Sequence, residues 1–138
     1  MRTLAQIEFL VEQEADSTPQ AAAKLYLTLG EEVLEHWLTA HSHKPTQLKV
    51  EGFRLLALHK QSSRGDPSFN ACRETCRELV YHYNLIIATP DHPEIRTRLM
   101  MMRLVASHLY YFVSGKMQNA QLGEFCCSSR DLRLEQAS

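Results

Sequence analysis

The stretch from Ser68 to Ala88 constrains this chain more than any other. Phe69, Cys72, Cys76, Leu79, Val80, Tyr83, Ile86 and Ile87 recur at threes and fours, the repeat that gathers side chains on one side of an α-helix. Arg73, Glu74, Arg77 and Glu78 fall largely elsewhere and can face water. An apolar side this broad needs cover from several other helices, so the spacing predicts an all-α domain.

The neighbouring segments supply that cover. Thr3 and Gln6 have the spacing of a reciprocal capping pair before Ile7, Leu10 and Val11, which predicts a short first helix ending near Asp16. Thr18 followed by Pro19 marks a second start, because proline at the first helical position loses no needed donor. Ala22, Leu25, Tyr26, Leu29, Val33, His36, Trp37 and Ala40 then trace one side of a helix running to about Ala40, with Gly30 lowering its propensity. After a turn over His41 to Pro45, Thr46 is the expected cap of a third helix ending near Ser62 or Ser63, with Gly52 placed for a close helix crossing.

Arg64 to Pro67 and Thr89-Pro90 are breaks, and Asp91 with Glu94 suggests a capped start for a last helix. Its inward line is Ile95, Leu99, Met102, Ala106, Leu109 and Val113. The reading is an up-and-down four-helix bundle with an additional short N-terminal helix. Residues 1–115 form the single domain, and 116–138 are expected to be a polar, mobile tail.

Charge limits the function classes. Fifteen basic and sixteen acidic residues give a net charge of -1, which weighs against a dedicated nucleic-acid binder. Residues 1–35 are strongly acidic and the remainder is basic, a division suited to internal complementarity between the first helices and the rest. Cysteine placement gives no disulfide framework and fits reduced thiols in a cytoplasm. The apolar run Leu99 to Val113 is interrupted by Arg103 and His108 and is shorter than a membrane span requires, so no membrane anchor is expected.

The last helix carries more apolar surface than one side can hide. Met100, Met101, Leu104, Tyr111 and Phe112 widen its arc and are the candidate partner-binding residues, for a second copy or another protein. The leading expectation is a cytoplasmic protein-binding or regulatory protein, a homodimer acting through this surface, without catalytic residues, metal or cofactor.

Four chemical alternatives are visible. His59, Cys72 and Cys76 all face inward near one end of the bundle and offer zinc-type ligands, although cysteines spaced at four are not a standard zinc pair. His36 and Trp37, placed by the bundle topology at the opposite end near Tyr83, Ile86 and His92, could line a pocket for a ring-bearing ligand. Arg103 and His108 have an Arg-x4-His spacing that resembles the HEPN family of small helical, often dimeric domains, some of which cleave RNA. That resemblance implies an acid or base role for His108 and stabilisation of phosphate charge by Arg103. The same spacing recurs at Arg54/His59 and Arg77/His82. A phosphotransfer histidine would have to be exposed, and His82 and His108 are the outward-leaning pair.

Overall fold

A computed structural model describes residues 1–120. It contains five α-helices, α1 (Leu4–Val11), α2 (Pro19–Ala40), α3 (Arg54–Gly65), α4 (Arg73–Ala88) and α5 (Ile95–Asn119), with a 3-10 segment, Pro67–Cys72, leading into α4. Four longer helices form the bundle, and α1 lies against α2 and α5. No helix among the described residues is long and apolar enough to cross a membrane.

Local chemistry sets the first two helix starts. The Thr3 side chain accepts from the Gln6 backbone N–H, and the Gln6 side chain accepts in return from the Thr3 N–H. Thr18 accepts from the Ala21 N–H and Pro19 occupies the first turn. The Tyr26 hydroxyl then pins the α1–α2 connection, accepting from the Ala15 N–H and donating to the Gln13 carbonyl.

The central element is α2. Of the expected line, Ala22, Tyr26, Leu29, Val33 and Trp37 are buried, Leu25 and His36 are half-buried and Ala40 is exposed, while Ala23, Leu27, Leu34 and Leu38 on the other sides are buried as well. This helix touches α1, α3, α4 and α5 in turn. The Ser68–Ala88 stretch forms one wall around it, with Phe69, Cys72, Cys76, Leu79 and Ile86 buried. Asp66 caps the bend at its start by accepting from the Ser68 N–H.

The connection from α2 to α3 departs from the expected short turn. Thr46 does not cap a helix. Its hydroxyl accepts from the Leu48 N–H, while Leu48 is exposed and Gln61 takes the Thr46 N–H. Glu51 and Gly52 have φ of 53° and 84°, and their left-handed backbone turns the chain so that Val50 and Phe53 pair before α3 begins at Arg54. Gly52 therefore serves a turn and not a helix crossing. Arg54 fastens this return to α2, donating to the Thr46 carbonyl and reaching Glu35 at 2.6 Å and Glu31 at 3.7 Å. Burial raises the Glu31 pKa in spite of that guanidinium.

The last helix also starts later than the acidic pair suggested. No side chain caps Ile95, and the Glu94 N–H donates to His92 Nδ1. At its other end α5 continues through Met117, which is buried, to Asn119. Of the tail expected over 116–138, residues 121–138 lie outside the described residues.

Candidate functional site

Positions 100, 101, 104, 108 and 111 share one side of α5 at helical spacing. Met100, Met101, Leu104 and Tyr111 on that side are 45, 45, 52 and 45% exposed. The opposite side of the same helix carries Met102, Ala106, Leu109 and Val113 into the core, which is why the outer arc cannot also be buried. Phe112 stands apart from the other four. It is half-buried, meets Phe69 edge-on at 5.8 Å between ring centroids, and lies beneath the Lys116 ammonium.

The strip has a charged flank. The Tyr111 hydroxyl donates to the Glu8 and Glu12 carboxylates of the α1 edge, and these neighbouring acids raise its pKa. At the Met100 end, Arg96 and Arg103 join Tyr26, Leu99 and Met100 around a cavity of about 230 Å³, with Glu14 bonded to Arg96 at 3.0 Å. One end of the strip is thus bordered by the Glu8 and Glu12 carboxylates and the other by Arg103 and the Arg96–Glu14 ion pair. Tyr110, on the inner side, has its phenol pushed up to about 12 by burial and then by Glu8.

Arg103 and His108 open onto different depressions. Arg103 lines the Met100 cavity, while His108 lines a shallow surface with Leu104, Ser107, Tyr111 and Phe112. Five residues of helix separate them by about 140° of rotation.

The inward placement of His59, Cys72 and Cys76 gives a buried cluster. His59 Nε2–H donates to the Phe69 carbonyl at 2.7 Å, and the Cys72 thiol donates to the same oxygen at 3.3 Å. The Cys76 thiol, followed by His59, draws the Cys72 pKa down to about 6, while sharing with Cys72 and burial raise that of Cys76. The His59 pKa is raised because its bonds to Cys72 and Phe69 outweigh desolvation. Among the described residues no group of three or more His, Cys, Asp or Glu side chains is arranged to hold a metal.

The proposed pocket around His36 and Trp37 is not where the bundle reading put it. Trp37 packs on Phe69 at 4.7 Å and on His41 at 4.0 Å, so it lies at the Phe69 end of the core. The reason is the long return over 41–53, which carries the chain back along α2 before α3 begins. His36 donates to the Arg2 carbonyl at 2.6 Å and Glu32 takes the Arg2 guanidinium at 2.8 Å. Together they tie the N-terminus to α2.

Sequence periodicity missed the aromatic box closed by Lys116. Its ammonium sits 5.6 Å from the Trp37 ring centre and 5.4 Å from that of Phe69, with Asp66 at 3.3 Å. The only available sign was a lysine in the last turn of a helix otherwise apolar on that side.

No family model matches this chain, and neither a curated protein nor a solved structure matches it.

Proposed function

We propose that the protein is a cytoplasmic helical binding or regulatory module that works as a homodimer, two copies packing antiparallel along the outer side of α5. The observation that carries this reading is the exposed strip of Met100, Met101, Leu104 and Tyr111, crossed by the polar His108 between Leu104 and Tyr111. Removing contiguous apolar side chains from water stabilises association by roughly 25 cal/mol per Å² before ordering costs. Methionine and tyrosine suit the centre of such a contact.

Charge selects a second copy as the occupant. A two-fold axis level with Leu104 and His108 brings the Tyr111 end of one strip to the Met100 end of the other. Glu8 and Glu12 of one copy then meet Arg103 of its partner, beside an Arg96 that is already paired with Glu14, and the contact repeats by symmetry. A parallel arrangement would oppose like charges. Free Cys72 and Cys76 fit a reducing compartment.

Sedimentation equilibrium of the full chain in reducing buffer tests the proposal. A dimer is expected, converted to a helical monomer by Leu104→Glu. Arg103→Glu should weaken association about fivefold, as exposed ion pairs contribute up to ~1 kcal/mol, and Glu12→Arg in the same chain should restore it. A monomer at ~100 µM, far above the range of typical specific contacts, overturns the proposal.

A further inference from the structure

We propose that the cleft between α3 and the start of α4 binds a small molecule bearing a phosphate group. The cleft has a volume of about 310 Å³, the lower end of the range for small-molecule sites. Its floor is formed by Leu56 and His59, both buried. Lys60 and Ser63 come from α3, while Arg73 and Arg77 come from α4, so cations approach the same space from two elements.

The balance of charge in the cleft calls for an anion. Among the described residues Lys60 and Arg73 form no ion pair, and Arg73 acts on His59 as a repelling positive charge. Arg77 is held by Glu51 at 3.0 Å. Both side chains of that pair are well exposed, so the bond contributes little and an incoming anion can replace Glu51. A phosphate group can accept two parallel N–H bonds from an arginine and a further charged bond from lysine. Asn70 adds an amide at the wall, while the Ser63 hydroxyl donates to the Lys60 carbonyl. The concave shape and limited size favour one small ligand over a polymer, whose affinity would need a longer track of cations.

Calorimetric titration of the full chain with inorganic pyrophosphate provides the test. Saturable binding of one equivalent per chain is expected. Lys60→Gln with Arg73→Gln should weaken it about tenfold or more, corresponding to loss of charged hydrogen bonds. Glu51→Gln should tighten it, because the competing carboxylate is gone, and Lys24→Gln, an exposed change on α2, should leave it unaltered. Circular dichroism of each variant checks that helicity is retained. Absence of saturation, equal affinity in the double variant, or equal weakening by Lys24→Gln overturns the assignment.

Discussion

Gly30 lies directly beneath Leu79. A Cβ placed on Gly30 would stand 2.7 Å from Leu79 Cδ2, and 3.3 and 3.4 Å from the methyl groups of Leu55 and Leu109. Three helices therefore converge on one missing side chain at the middle of α2. The close approach explains why α2 can be the central element while carrying a residue of poor helix propensity.

Gly30→Ala sets two effects against each other. Alanine improves helix propensity by about 1 kcal/mol, whereas overpacking costs about 1–3 kcal/mol. Leu79, Leu55 and Leu109 are all fully buried, so any movement that relieves the contact must be taken up inside the core. A net loss of about 1 kcal/mol is expected, read as a lower urea midpoint with an unchanged slope. Equal or greater stability would show that the three leucines can yield.

The two glycines illustrate what one sequence can reveal. Both Gly30 and Gly52 were visible as interruptions, but their roles depend on what surrounds them. Gly30 makes the close crossing, and Gly52 makes the left-handed turn. Periodicity identified most of the buried residues of α4 and the centre of the inward line of α5, though Ile87 is exposed and Tyr110, Ser114 and Met117 are buried off that line; side-chain chemistry identified the caps at Thr3 and Thr18, because these signals are local. The start of α3 is not legible in the sequence because Thr46 can cap a turn as well as a helix, and only the distant partners Arg54 and Gln61 decide between them. The end of the bundle at which Trp37 lies is hidden for the same reason, since the course of the return is not encoded in any single helix. The exposed strip on α5 was legible from an arc too wide for one core. The basic cleft was not, because Lys60 and Arg73 meet only through packing of α3 against α4.

Phe112 separates core packing from partner contact. It belongs to the apolar arc expected at the interface, yet its ring rests on Phe69 at the edge of the core. Phe112→Ala should cost about 2–3 kcal/mol, less than the ~3–5 kcal/mol of a fully buried phenylalanine, in chemical denaturation. The dimer dissociation constant should stay within about threefold of the parent value, below the ~1.4 kcal/mol that a tenfold change represents. A large loss of association with unchanged monomer stability would move Phe112 from the core to the interface.

His82 provides a pH-dependent test of packing on α4. Its Nδ1 is buried and has no hydrogen-bond partner among the described residues, and burial lowers the ring's pKa against the opposing pull of Glu78. The folded protein therefore favours neutral His82. Its contribution to stability is present above the ordinary histidine pKa near 6.5 and is lost as pH falls through the lower folded-state value. His59 has the opposite sign, since its raised pKa gives stability that is lost as pH rises through that value. The difference between parent and His82→Leu isolates the His82 component. Replacing a buried unsatisfied nitrogen by an apolar group should be neutral or stabilising by ~1 kcal/mol at pH 7, with a shallower fall in stability between pH 7 and 5. Denaturation curves at those two pH values provide the measurement, and an unchanged pH slope would mean that His82 finds a partner for its proton in the folded chain.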